Sequence, residues 1–267
     1  MKTIDKEINI NGKKIKFHLP EEDGLTKIIL SQLLYKRHII CFFVEQQLKK
    51  NYINIIYLGG NFGYHTFLFA TFSPDINVIT VEPNPDILGI LKHNIQQNNL
   101  TNVELIECAV SDKEDELTLY SSHTDSGTTS LNKLENYDSE YKVPVRTLDL
   151  LLADREDYFP DLIKADLQGF DLHAINGSRQ LIQKSFPDII LEFCPNEMPL
   201  SVEELTDIFR FLAENQYNPF IFRAHDIACV EVLDFSVLLQ IFDMYKKKGL
   251  GGQFNLFFSS SHRKIAS

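Results

Sequence analysis

The stretch Ile53-Asn54-Ile55-Ile56-Tyr57-Leu58-Gly59-Gly60-Asn61-Phe62-Gly63-Tyr64-His65-Thr66-Phe67 decides the fold. Ile53 to Leu58 is apolar except at Asn54 and reads as a buried strand. Glycines at 59, 60 and 63 then break the chain, and Tyr64 to Phe72 reads as a helix packed back on that strand. An open α/β sheet builds a ligand cradle from strand, glycine turn and helix. The glycines admit a ligand to the backbone, and unpaired N–H groups at the helix start point toward it. A tight turn without a ligand has the same local pattern, so the rest of the chain must discriminate. A dinucleotide fingerprint needs glycine at 58, 60 and 63, and position 58 is Leu.

The bulk properties narrow the classes. A length of 267 residues with 44% hydrophobic content supports a sizeable core, and 20 Phe with no Trp make Phe its main aromatic. The net charge of −11 opposes nucleic-acid binding, which needs a basic face; Lys246-Lys247-Lys248 reads as a solvated helix end. Cysteines at 41, 108, 194 and 229 lack C-x-x-C spacing, so free thiols are expected, and the scattered histidines define no metal site. The N-terminus lacks a signal-peptide core and no apolar run is long enough to span a bilayer, which makes the expected location cytoplasmic.

Outward from the glycine turn, residues 1–20 alternate around Asn11-Gly12 as a hairpin. Residues 25–50 read as helical, with Ile28, Ile29, Leu33 and Leu34 at helical spacing. This N-terminal section either covers the ligand or serves packing alone. A second strand, Asn77 to Val81, ends in Glu82, 23 residues after Gly59. A carboxylate there can accept two hydrogen bonds from a ribose diol; an ordinary strand-end Glu is the competing reading. Asn84-Pro85-Asp86 starts the next helix.

After a short third strand, Val103 to Ile106, the small residues Ala109 and Ser111 leave room for a flat adenine ring or form an ordinary loop. Residues 121–130 form a polar loop long enough to be a lid. His123 is its one titratable residue suited to general-base work near neutrality, against the reading of a solvent-exposed loop histidine. Val143 and Val145 mark a strand, and Thr147 caps a helix through Ala153. The fourth strand, Asp161 to Asp166, should lie beside the first, so Asp166 should face the reactive end of a ligand. Asp171 begins the following helix, and Glu192 stands near the end of a fifth strand, Phe186 to Phe193. Ser201 to Glu204 is a capping box, followed by a helix, a strand over Tyr217 to Phe222, a helix from Phe235 and a last strand from Phe254.

Several of these pieces together resemble the FkbM family of class I S-adenosylmethionine-dependent methyltransferases. They are Leu58 to Thr66, Val81-Glu82-Pro83-Asn84-Pro85, Ala109 to Asp112, Gly127 to Leu131, Val143 to Asp149, Leu162 to Asp171 and Pro187 to Glu192. The resemblance implies a doubly wound, seven-stranded, mostly parallel sheet with its last strand antiparallel. The expected organisation is an N-terminal hairpin and helical extension over residues 1–50 and a methyltransferase domain over 51–267. The implied cofactor is S-adenosyl-L-methionine: Gly59, Gly60, Asn61 and Gly63 would cradle its methionine part, Glu82 and Pro83 its ribose, and Cys108 and Ala109 its adenine. Asp166 would stand by the methyl group and the acceptor, assisted by Asp171, Glu192 or His123. The implied reaction is O-methylation of a sugar, glycan or natural-product hydroxyl. The partner is then a small-molecule or glycan acceptor, not nucleic acid, and a homodimer is an admissible assembly.

The pattern departs from the family at two positions. Tyr57 stands where the family has an Asp that helps hold the amino-acid end of the cofactor. Gln168 stands where it has Glu, and an amide cannot take a proton. These departures keep open a non-catalytic binding module of the same fold. A nicotinamide-dependent oxidoreductase is the third class, opposed by Leu58.

Overall fold

Residues 2–32, 35–133, 135–222, 229–232 and 234–262 are described by a computed structural model, with backbone alone for 229–231. The chain opens with a hairpin, β1 (Thr3–Ile10) and β2 (Lys13–Pro20), paired antiparallel through Asn11-Gly12. It continues through α1 (Gly24–Ser31), α2 (Arg37–Lys50), β3 (Asn54–Leu58), α3 (Tyr64–Phe72), β4 (Asn77–Val81), α4 (Pro85–Gln97), β5 (Val103–Ile106), β6 (Ala109–Val110), β7 (Asp115–Ser121) and β8 (Ser139–Arg146). Then follow α5 (Leu148–Leu151), β9 (Leu162–Ala165), α6 (Asp171–Asn176), α7 (Arg179–Ser185), β10 (Asp188–Phe193), α8 (Val202–Glu214), β11 (Tyr217–Phe222), β12 (Cys229–Glu231), α9 (Phe235–Lys248) and β13 (Phe254–Ser260).

The main sheet runs β12-β11-β13-β10-β9-β3-β4-β5. β3, β4, β5, β9 and β10 pair in parallel, and β13 inserts antiparallel between β10 and β11. This is the expected seven-stranded, doubly wound arrangement, extended by β12 as a short antiparallel edge. β6, β8 and β7 form a separate small sheet.

Strand periodicity sorts the side chains into two layers. On β3, Ile56 and Leu58 join a core formed with α6 to α9, whereas Ile55 and Tyr57 join a core formed with the hairpin, α2, α3 and α4. On β10, Ile189, Leu191 and Phe193 face the first core and Ile190 the second. The same alternation puts Tyr57, Lys164 and Glu192 on the face that the N-terminal section covers.

Helical residues 25–50 form two helices rather than one. Gln32 is extended after α1, and Lys36 takes left-handed backbone (φ 48°) before α2. Leu33 and Leu34, part of the helical expectation, lie outside the described residues. The fifth strand begins at Asp188 because Phe186 ends α7 in left-handed conformation (φ 48°). The helix capped by Thr147 stops at Leu151.

The hairpin's outer edge is closed by α4. Asn94 accepts from His18 N (2.7 Å) and donates to His18 O (3.1 Å) and to Phe62 O (3.1 Å) in the glycine turn. One turn on, Asn98 makes the matching pair with Lys16. Asn94 is fully buried, so truncation leaves polar groups without partners. Asn94→Ala should therefore cost about 2–3 kcal/mol. Urea unfolding should show a lower midpoint at unchanged slope; an unmoved midpoint would mean that the hairpin contributes nothing to the domain's stability.

Candidate functional site

A cavity of about 300 Å³ opens at the carboxyl ends of β3, β4, β9 and β10. Its size falls within the range of small-molecule sites. Gly59, Gly60, Asn61, Glu82, Pro83, Cys108, Ala109, Asp166 and Glu192 all line it. Gly63 does not; it is the left-handed start of α3 (φ 97°), where a Cβ would meet the Phe67 ring at 2.5 Å. Gly59 is constrained by the site itself. It has φ 92°, and a Cβ there would lie 2.3 Å from the Asp166 carbonyl oxygen. Asp166 N donates back to Leu58 O at 3.0 Å, so the turn after β3 and the turn after β9 touch directly.

At the β4 end, Glu82 is buried and each of its oxygens accepts one backbone N–H, from Asn61 (2.7 Å) and Asn84 (2.9 Å). Burial pushes its carboxyl up to about 7, against those two hydrogen bonds. Each oxygen keeps a second lone pair for a ligand hydroxyl. Beyond it, Cys108 and Ala109 form a wall in which burial raises the thiol to about 11. Ser111 is buried but does not line the cavity.

The β9 end holds a charge cluster. Lys36 Nζ lies 2.8 Å from Asp166 Oδ2 and 3.1 Å from Glu192 Oε1, and Lys164 Nζ lies 3.0 Å from Asp166 Oδ2. Gln168 donates to Glu192 Oε2 (3.1 Å) and reaches Asp166 Oδ1 (3.4 Å). Burial opposes ionisation of Asp166, but Lys164 and Lys36 outweigh it and hold the carboxyl well below the usual range. Glu192 moves the other way, raised by burial and by Asp166. Burial lowers Lys164, whereas Lys36 is raised well above the ordinary value because Asp166 and Glu192 overcome its burial.

Asp171 lies behind this cluster, fully buried and outside the cavity lining. It accepts from Leu167 N (3.3 Å) and Glu192 N (3.2 Å), and burial with Asp166 and Glu192 raises it to about 7. His123 stands apart: it is exposed, bonded to Ser139 Oγ at 2.8 Å and 3.6 Å from Asp86, and it does not line the cavity. Its neighbours Asp125 to Ser130 do.

The N-terminal section completes the wall, with Leu25, Ile28, Ile29, Tyr35 and Lys36 in the lining. Asp23 joins it to the polar loop: one oxygen caps α1 at Thr26 N (2.8 Å), and the other accepts Ser126 N (2.6 Å). Sequence reasoning missed Lys36. Its partners lie 130 and 156 positions away, and a Lys between two helices carries no local signal.

A model of the methyltransferase FkbM domain matches residues 58–219, more than half of the chain. No curated protein sequence matches. Among solved structures, the methyltransferase FkbM of Methylobacillus flagellatus KT is similar at 15% identity and a TM-score of 0.47, over 78% of this chain and 44% of that one. The O-methyltransferase TomG of Streptomyces achromogenes, solved with SAM, is similar at 12% identity and a TM-score of 0.47, over 85% and 82%. The Bacillus cereus O-methyltransferase, solved with SAH, is similar at 14% and 0.47, over 89% and 86%. The chain spans less than half the length of the M. flagellatus protein. With the family model matched over a range that contains the glycine turn, Glu82 and Asp166, the chain belongs to the FkbM family of methyltransferases.

Proposed function

We propose that the chain is an S-adenosylmethionine-dependent O-methyltransferase acting on a hydroxyl of a sugar, glycan or natural product. One observation carries this reading: a ribose-type acceptor, Glu82, and an acid pair, Asp166 and Glu192, border a single cavity along the carboxyl edge of the parallel strands. The residues fit the cofactor of this family. Gly59 leaves its backbone bare where a side chain would collide, Glu82 has lone pairs to spare, and Cys108 and Ala109 offer an apolar slot. When bound, the cofactor supplies a methyl group on a sulfonium.

The protein's own work is alignment and proton handling. Asp166 is held ionised by two lysines, which makes it a weak base and a good partner for a ligand ammonium. Glu192 is the better proton acceptor, because burial raises it and it lines the cavity beside Asp166. Glu192 takes the proton from the acceptor hydroxyl as the oxygen attacks. Asp171 positions Glu192 by holding its backbone N–H, and Gln168 orients the carboxylate without taking a proton. His123 has no part in this arrangement.

One feature favours the rival reading of a non-catalytic module. Lys36 bridges Asp166 and Glu192, where an acceptor would have to approach. That reading expects weak or no cofactor binding, and failure to bind S-adenosylmethionine at millimolar concentration would favour it.

Two measurements test the proposal. Methyl transfer from labelled S-adenosylmethionine to a panel of sugars, oligosaccharides and polyketide alcohols should identify an acceptor. On that acceptor Glu192→Gln should lower kcat about 100-fold or more while leaving S-adenosylhomocysteine affinity nearly unchanged; full activity in the variant would remove Glu192 as the base. The second is pH dependence. Ribose hydroxyls donating to Glu82 favour its ionised form, so binding lowers its pKa from about 7 and releases protons. Calorimetry should show affinity steady above pH 7 and weakening toward pH 5.5, with the slope lost in Glu82→Gln. A variant that keeps the slope would exclude Glu82 as its source.

A further inference from the structure

Lys36 has no task in the reaction described so far, yet its placement is costly. It takes left-handed backbone (φ 48°) at the start of α2 and gives that helix no side-chain cap. The chain is fixed on both sides of it: Tyr35 N donates to the Tyr64 hydroxyl at 3.3 Å, and Lys36 O accepts from Ile39 N at 2.9 Å. A lysine between two helices ordinarily runs out to water. This one is 12% exposed at its side chain and turned inward, onto two carboxylates.

The partners of those carboxylates show what the ammonium does. Asp166 Oδ2 has two cations, Lys164 Nζ at 3.0 Å and Lys36 Nζ at 2.8 Å. Glu192 has one ion pair among the described residues, from Lys36 Nζ to its Oε1 at 3.1 Å. The other groups facing Glu192 add no positive charge. Gln168 donates to Oε2 as a neutral amide, and the Cys194 thiol lies 3.8 Å from the same oxygen, its proton held on by burial. Asp171 on α6 accepts the Glu192 N–H and is itself an acid. On β13, Asn255 stands opposite Glu192 and bonds to His38 of α2 at 3.2 Å; burial, Lys36 and Lys164 all lower that imidazole's pKa. Tyr35 keeps its proton because burial raises it to about 12.

Without Lys36, Asp166 would keep Lys164 and Glu192 would lose its ion pair. Two neighbouring buried acids with one cation do not both stay ionised, so Glu192 would take up a proton. In that form it could not accept one from an acceptor hydroxyl. Lys36 does not use up the carboxylate either. Of about four lone-pair positions on a carboxylate, Lys36 and Gln168 each take one, so Oε1 keeps one for the hydroxyl.

We propose that Lys36 is a positioning residue for methyl transfer: its ammonium holds Glu192 beside Asp166 as an ionised carboxylate, ready to take the proton of the acceptor hydroxyl. The inference rests on the reading of Glu192 as the base, and adds that the N-terminal section is what makes it one. Lys36 exchanges no proton itself. Burial opposes its charge, but Asp166 and Glu192 outweigh burial and keep it protonated.

The test reads Glu192 directly. In the full chain labelled with ¹³C at the glutamate side-chain carboxyl, the Glu192 signal is the one lost in Glu192→Gln, and the aspartates are silent. In Lys36→Met the Glu192 titration should move upward by about one pH unit or more, the size expected on losing a contacting cation. Lys36→Arg keeps the charge and should hold the midpoint near its original value. Lys36→Gln, with donors but no charge, should give the same upward move and serves should Lys36→Met fail to fold. Kinetics supply a second readout. On an acceptor from the methyl-transfer panel, the acidic limb of kcat against pH should move up with the titration in Lys36→Met, and the rate should recover at alkaline pH. An unmoved Glu192 titration, an equal move in Lys36→Arg, or kcat lowered equally at every pH would overturn the role of Lys36 and leave the methyltransferase reading standing. Full activity in Glu192→Gln, or no methylation of any panel member, would overturn that reading, and the inference with it.

Discussion

The direct contact between the turns after β3 and β9 is the constraint on which the site depends. Gly59 approaches the Asp166 carbonyl so closely that no side chain fits, and Asp166 N is bonded to Leu58 O. The parallel register, with Leu58 opposite Ala165, delivers both turns to the same level. A ligand lying across the glycine turn therefore lies against the β9 acid without any further device. A methyl group at Gly59 would force the two turns apart.

Around the seam the protein concentrates charge where burial is costly. Asp166, Glu192, Lys36 and Lys164 are acceptable there because each is paired within 3.1 Å. Their unequal surroundings drive the two acids apart: the one with two cations is held ionised, and the one sharing a single cation is raised. Divergent environments of this kind give neighbouring carboxylates different tasks. Asp171, buried behind them and without an ion pair among the described residues, is raised as well and accepts from the Leu167 and Glu192 backbone N–H groups.

The N-terminal section makes the cavity as much as the sheet does. Its hairpin is held by Asn94 and Asn98, its first helix is tied to the polar loop through Asp23, and Lys36 enters from a left-handed residue between helices. Non-glycine residues in that conformation are strained, and two ion pairs compensate here. The sheet supplies the floor and the residues that recur by motif, while the extension supplies the walls.

Sequence alone determined the order of elements and much of the cradle. Apolar runs, glycine spacing and helix caps are local signals, so the β3 turn, Glu82 at a strand end, the capping box at Ser201 and the Asn11-Gly12 hairpin could all be read before any coordinates. Asp166 was legible as the acid ending a strand expected beside the first, and the family resemblance added the seven-stranded sheet with its antiparallel last strand. What needed the tertiary structure was every relation between distant segments. His123 matched the chemistry of a base, yet its loop carries it away from the cavity and brings Asp125 to Ser130 in its place. Asp171 matched as well, but the first turn of α6 buries it beneath the site. Lys36 carried no signal, because a lysine between helices acquires meaning only from what packs against it. Local sequence sets backbone conformation and burial period; which charges meet, and so which protons move, is decided by packing.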